Sequence, residues 1–231
     1  MGNSMIMRKS TSMILAIVMT AGTAAVARAG APFDDRPGAH WDVMGGLSEP
    51  VGTTGDYLQG GYAIGGGLTF VPSESSPLDW RFDLDYRDHN ASSRLIALGQ
   101  QSTNIEIDGG TGQIWSFSGN ATYHVPIAYG VRAYAIAGVG VYHTRIELTQ
   151  TVPFYGGYYY CDPFWGYCDG GYGYGNAVVI SHDLTKFGWN AGGGVEFALP
   201  SGASWFIEAR FHRISASTPV EFVPIEVGYR F

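Results

Sequence analysis

The stretch "LDWRFDLDYRDH", Leu78 to His89, constrains the fold more than any other part of the chain. Leu78, Trp80, Phe82, Leu84 and Tyr86 alternate with Asp79, Arg81, Asp83, Asp85 and Arg87. Side chains at every second position share one face of a β-strand. The segment therefore reads as a strand with one apolar face and one charged face. A helical period would scatter both sets around the axis and leave neither a face of its own.

The same alternation returns in seven other places. "ASWFIEARFH" opposes Trp205, Ile207, Ala209 and Phe211 to Glu208, Arg210 and His212, and "GQIWSFSGNATYHV" opposes Trp115, Phe117, Ala121, Tyr123 and Val125 to Ser116, Ser118, Asn120, Thr122 and His124. "GGYAIGGGLTF", "FGWNAGGGVEFAL", "VEFVPIEVGYRF" and a shorter "HWDVMGGL" follow the rule. In "VRAYAIAGVGVYHTRIEL" both faces hold apolar residues, which leaves its register open by one. Between these segments, tight connections ("PSESSP", "PIAYG", "PSG") alternate with longer ones, except that the last, "SASTP", is short. Antiparallel neighbours in an up-and-down meander produce this rhythm. The fold class expected is all-β, an eight-stranded antiparallel up-and-down transmembrane β-barrel.

Composition agrees, with 34 Gly alongside 15 Tyr, 12 Phe and 6 Trp, and with Lys only at positions 9 and 186. Aromatic rings favour strands, and Gly marks turns and close backbone approaches. Residues 1–29 read as a signal peptide: Arg8 and Lys9, then an apolar stretch shorter than the roughly 20 residues a spanning helix needs, then small residues before Gly30. Residues 30–231 are then a single barrel domain. Loss of Arg8, Lys9 and Arg28 leaves ten Lys and Arg against 20 Asp and Glu, so a nucleic-acid partner is not expected. Cys161 and Cys168, the two cysteines of an exported chain, are expected to form a disulfide.

Which face points inward is decided by volume. An eight-stranded barrel is only just wide enough inside for side chains to fill, so it cannot hold the aromatic faces of all its strands. Turned the other way, the rings face lipid, and Trp41, Tyr62, Trp80, Tyr86, Trp115, Tyr123, Trp189, Trp205 and Tyr229 fall near strand ends as two interfacial girdles. The lumen then receives Asp79, Arg81, Asp83, Asp85, Arg87, Glu196, Glu208, Arg210, Glu226 and Arg230, together with Asp42 and Arg132. Seven acids against five arginines suit an ion-pair plug, since buried charges need partners.

The signal peptide, the eight strands, "YAIAGVGVYH", "WNAGGGVEF" and the final "VGYRF" together resemble the outer-membrane β-barrels of Gram-negative bacteria, the OmpA-like, OmpX-like and opacity-like small barrels. The resemblance covers the whole chain after residue 29. It implies residence in the outer membrane, contact with membrane lipid and lipopolysaccharide, and insertion by the barrel assembly machinery. It also implies that Val223, Ile225, Val227, Tyr229 and Phe231 form the C-terminal assembly signal. Pro224 departs from an ideal ladder and is expected near the loop end or at a bulge.

No enzyme is expected. "SHD" at Ser181 to Asp183 holds three triad residue types, but successive strand side chains point to opposite faces and cannot serve one another. "DHN" at Asp88 to Asn90 lies at a rim with no nucleophile nearby. Scattered histidines and two cysteines offer no metal site, and no cofactor motif is present. The most distinctive segment is "FYGGYYYCDPFWGYCDGGYGYGN", Phe154 to Asn176, with ten aromatic residues before Asn176. Tyr158, Tyr159, Tyr160, Phe164, Trp165 and Tyr167 form either a contact surface for an unidentified surface ligand or a self-packed cap over the barrel mouth. The function expected is structural or adhesion-like, through long extracellular loops. A small porin or OmpW-like conduit is the alternative, with a lipid A-modifying enzyme behind it.

Overall fold

A strand such as Leu78–Ala91 must satisfy its backbone donors and acceptors on both edges. The computed structural model describes residues 33, 36–73, 76–154, 159–161, 168–170 and 173–231, the side chains of 153–174 excepted. It meets this demand by closure. The strands are β1 (Gly38–Pro50), β2 (Leu58–Val71), β3 (Leu78–Ala91), β4 (Gly109–Ala128), β5 (Val131–Phe154), β6 (Tyr159–Cys161), β7 (Cys168–Gly170), β8 (Gly173–Ala198), β9 (Ser204–Ile214) and β10 (Val220–Arg230). Eight of them close in the order β1-β10-β9-β8-β5-β4-β3-β2, while β6 and β7 form a separate two-stranded sheet. Every barrel pair is antiparallel, and β10 closes on β1 with Arg230 opposite Asp42 and Phe222 opposite Pro50. Reciprocal backbone bonds between Trp41 and Phe231 extend that seam by one more pair.

The apolar faces point outward and the polar faces inward. Trp41 is 60% exposed and Phe187 75%, whereas Asp83 and Arg87 are fully buried. The register of β5 is settled: Tyr134, Ile136 and Tyr142 are buried in the bore, while Val139 and Val141 face out. Two bands of outer rings border the apolar wall. Tyr62, Tyr86 and Trp115 touch in sequence at one level (6.2 and 4.9 Å between centroids), and Trp205, Tyr229 and Phe231 do so at the other (5.0 and 5.9 Å).

The connections sort by end. At the turn end lie 72–77, Tyr129-Gly130 and 199–203, where Gly130 (φ 69°) and Gly202 (φ 86°) supply the positive φ that tight reversals need. At the loop end the structure differs from expectation in two places. The third connection, read as polar loop, holds a helix, α1 (Ser93–Thr103), capped by the Ser92 hydroxyl accepting from Leu95 N–H and closed by Asn104 in the left-handed region (φ 56°). A Cβ on Gly99 would come within 2.6 Å of Leu148 and 2.8 Å of Ile107, so glycine lets the helix lie directly on the apolar cluster of Ala91, Ile107 and Leu148. The fifth connection is largely strand: the β5–β8 ladder continues to Phe154 opposite Gly173. From Val141 that is thirteen further residues of ladder, roughly 40 Å at the strand rise. Along this extension β9 supplies no partner to β8 before Gly188.

Pro224 lies toward the loop end of β10, one of the two placements expected for it. It lies opposite Ser48 with unbroken register, and the β10–β9 ladder keeps one register on both sides of it. The missing N–H interrupts the rungs toward β9 without adding a residue, so there is no bulge.

Candidate functional site

Two ends and a bore make up the places where chemistry could occur, and the bore is the more fully built. Alternation on β3 sends Asp79, Arg81, Asp83, Asp85, Arg87 and His89 inward in order from turn end to loop end, and β9 sends Ser204, Phe206, Glu208, Arg210 and His212 inward from the opposite wall. At mid-height these two strands meet. Arg81 Nη2 lies 2.8 Å from Glu208 Oε1, Arg210 Nη1 lies 2.8 Å from Asp83 Oδ2, and each arginine also contacts the carboxylate of its own strand, at 3.0 and 2.6 Å. The four charges form a closed cycle of alternating sign. Tyr134 donates to Glu208 at 2.8 Å and Asn120 to Asp83 at 2.9 Å, and Asn190 bonds Asn120 in turn.

Toward the turn end, Arg230 is gripped by Asp42 (2.7 Å) and reaches Glu196 (3.3 Å), which Arg132 meets from β5 at 2.8 Å and Ser204 meets with its hydroxyl. Thr69 donates to Asp42 at 2.6 Å. Asp79 stands apart with His124, whose Nε2 is 2.9 Å away. Toward the loop end, Arg87 holds Asp85 at 3.2 Å and Ser116 at 2.9 Å, with its guanidinium over the Phe222 ring at 5.1 Å. Glu226 has its nearest cation, Arg210 Nη2, at 3.8 Å.

Above this level the bore is closed by packing. Phe222 stacks on His212 (4.9 Å, 12°), Tyr142 packs edge-on to both, and Ile114 and Ile214 complete a fully buried cluster. Tyr142 and Phe222 were not singled out from the sequence, although their parity on β5 and β10 places them inward.

The ten charged residues named from the alternation all lie buried in the bore, divided among the central cycle with Glu226 beside it, the turn-end group that includes Asp42 and Arg132, the Asp79–His124 pair and the Asp85–Arg87 pair. The outer side chains Val223, Ile225, Val227 and Tyr229 line the lipid-type face of the closing strand. Neither triad-like run is assembled. Asp183 faces out and binds Arg145 (2.8 and 3.3 Å), and Asp88 accepts from Tyr86 outside while His89 is buried within. Among the described residues no group of three or more His, Cys, Asp or Glu is arranged for a metal ion. Residues 1–29, Tyr158, Phe164, Trp165 and Tyr167 lie outside the described residues, as do the side chains of Tyr159, Tyr160, Cys161 and Cys168. The backbone register nonetheless sets Cys161 opposite Cys168.

Of the solved structures resembling this one, Neisserial surface protein A (NspA) superposes with a TM-score of 0.50 at 13% identity, over 83% of this chain and 95% of that one. The fold is that of an eight-stranded outer-membrane barrel. A major outer membrane protein from Thermus thermophilus (TM-score 0.47, 12% identity, 84% and 100% covered) and the Yersinia pestis attachment invasion locus protein Ail (0.43, 13%, 84% and 99%) are also similar. No family model matches the chain, and no curated protein matches it. At this identity the likeness speaks for the barrel alone.

Proposed function

We propose that this protein spans the bacterial outer membrane as a sealed barrel and works at the cell surface, in a structural or adhesion-like role, without enzymatic activity. One contrast carries the reading. The bore is filled by paired charges and capped by Phe222, His212 and Tyr142, whereas the β5–β8 ladder runs far past the outer ring of aromatics. A chain that transports needs a path, and a chain that makes contact needs reach. The polar side chains above the ring, His143, Arg145 and Glu147 with Ser181, Asp183 and Thr185, belong at the level of lipid headgroups and solvent. On this reading lipopolysaccharide surrounds the wall, the barrel assembly machinery inserts the chain, and the Tyr- and Gly-rich segment 155–172, which joins β5 to β8 in the sequence, is the contact element.

The test has two arms. Refolded protein in planar bilayers is expected to give no steady conductance steps; regular steps would favour the small-pore alternative. Deleting 155–172 is expected to abolish binding of whole cells to matrix or host surfaces while the barrel keeps its heat-dependent electrophoretic shift. Unchanged binding would remove the adhesion-like role. An OmpW-like conduit for hydrophobic molecules would need an apolar lumen, and this bore holds five arginines and seven carboxylates.

A further inference from the structure

The surplus of acid in the bore is unevenly placed. The central cycle balances two arginines with two carboxylates, whereas the turn-end group sets Asp42, Asp79 and Glu196 against Arg132 and Arg230. Both arginines are committed to Asp42 and Glu196. Asp79 is left with His124, the only ion-pair partner it has among the described residues. Asp79 is 3% exposed and His124 8%, and neither His124 ring nitrogen makes a well-aligned hydrogen bond. His124 Nδ1 stands 3.8 Å from Glu196, and the ring rests against Tyr134 at 5.6 Å.

This pair forms the floor of a cavity of about 330 Å³ at the turn-end mouth. Its walls are mostly apolar: Val71 from the end of β2, Pro77 from the turn after it, Pro126 and Ala128 from β4, Val131 from β5, and Phe33, whose ring lies 4.1 Å from the guanidinium of Arg132, which also lines the cavity while bonded to Glu196. Ser76, also at the rim, is already used, its hydroxyl both donating to and accepting from Leu78 backbone. The volume is at the small end of ligand sites, which combine apolar walls with a few convergent polar groups.

We propose that the turn-end mouth binds a small organic cation, a primary ammonium on an apolar body, with the ammonium on the Asp79 carboxylate beside His124. An ammonium brings three donors to a carboxylate that has a single partner, and the apolar body replaces water against Val71, Pro126 and Val131. A carboxylate ligand would meet Asp79 head-on, and the Arg132 guanidinium on the wall is already bonded to Glu196; a neutral ligand would leave Asp79 as it is. In the outer-membrane reading this mouth opens to the periplasm, but the site itself depends only on the barrel.

Benzylamine is a suitable probe, with benzyl alcohol as its uncharged counterpart. Protein folded in nanodiscs, labelled at histidine rings and valine methyls, is titrated with each and followed by NMR. Benzylamine is expected to give saturable shifts at His124, Val71 and Val131. Asp79→Asn is expected to weaken binding by about tenfold or more, the worth of a charge-assisted hydrogen bond. Ala128→Trp, which fills the mouth without touching the pair, is expected to abolish it. Equal binding of benzyl alcohol, or benzylamine binding undiminished in Asp79→Asn, would overturn the proposal, as would the absence of saturable shifts. If Asp79→Asn fails to fold, Ala128→Trp and the alcohol comparison decide alone. None of these outcomes bears on adhesion, which is read at the opposite end.

Discussion

Arg81 on β3 reaches across the whole bore to Glu208 on β9, four strands away by either path around the ring, and its Nη2 stops 2.8 Å from Oε1. Arg210 makes the return crossing to Asp83 at the same distance. Two opposed walls are thus tied at mid-height by four buried charges.

Breaking one member of this cycle should be far worse than replacing a pair. Arg81→Met strands Glu208 and Asp83 with one arginine between them and is expected to cost about 3–5 kcal/mol. Arg81→Met with Glu208→Met leaves Arg210 and Asp83 paired, and its cost should fall short of the summed single losses by about 1–3 kcal/mol. Urea unfolding of the four proteins in phospholipid vesicles gives the coupling. Simple additivity would mean that the crossing carries no specific interaction.

Gly228 marks a place where the bore has no room. A β-carbon there would fall on the ring of Phe206, which itself lies under Arg81 (5.6 Å) and Arg230 (5.9 Å). Gly228→Val is expected to destabilise the barrel by about 1–3 kcal/mol through overpacking. Adding Phe206→Ala should recover part of that loss. A double variant worse than both singles combined would show that the two residues do not compete for one space.

Outside the apolar wall, the hydrogen bond from Arg145 holds the Asp183 carboxyl below its ordinary range, and Arg145 is raised in return. A carboxyl depressed in the folded state contributes at any pH above its unfolded value, and that contribution fades as pH falls through the folded one. Arg145→Gln should raise the Asp183 midpoint toward the ordinary carboxylate range, read from its carboxyl carbon shift. High salt should move the wild-type midpoint the same way, since both groups are exposed and screened. A midpoint indifferent to both changes would refute the pairing.

Cys161 and Cys168 are directly opposed in an antiparallel ladder. Opposed residues in such ladders have Cα atoms about 4.5–5.5 Å apart, within the range a disulfide spans. Protein purified without reductant is expected to resist alkylation at both thiols until dithiothreitol is added. Immediate labelling would show them reduced.

How much could be read in advance follows from where the two faces differ. On β3 from Leu78 to Arg87 every outward residue is apolar or aromatic and every inward one charged, so strand, register and side were visible together. The strand read on β5 stops at Leu148, because beyond it Gln150, Thr151 and Pro153, with Gly173, Gly175 and Asn176 on β8, show no apolar alternation. That is why ladder was read as loop. Helix α1 escaped for a different reason: its apolar residues are few, and the telling signs were Ser92 before the run and Asn104 after it. Parity could name the inward charges but not their partners. Arg81 and Glu208 meet because of strand stagger around a closed ring, and no local pattern records that.

The central cycle also bears on how such a chain can enter a bilayer. While β10 is unpaired with β1, the sheet is an open ribbon, and Arg81, Asp83, Glu208 and Arg210 have no opposite wall to meet. Arginine on a lipid-facing surface costs about 2–4 kcal/mol at mid-membrane. A flat intermediate would therefore be expelled from the hydrocarbon by the very residues that later lock it. In the outer-membrane reading, curling and insertion are therefore expected to advance together, because only a ribbon already rolled far enough to neutralise these charges can sink.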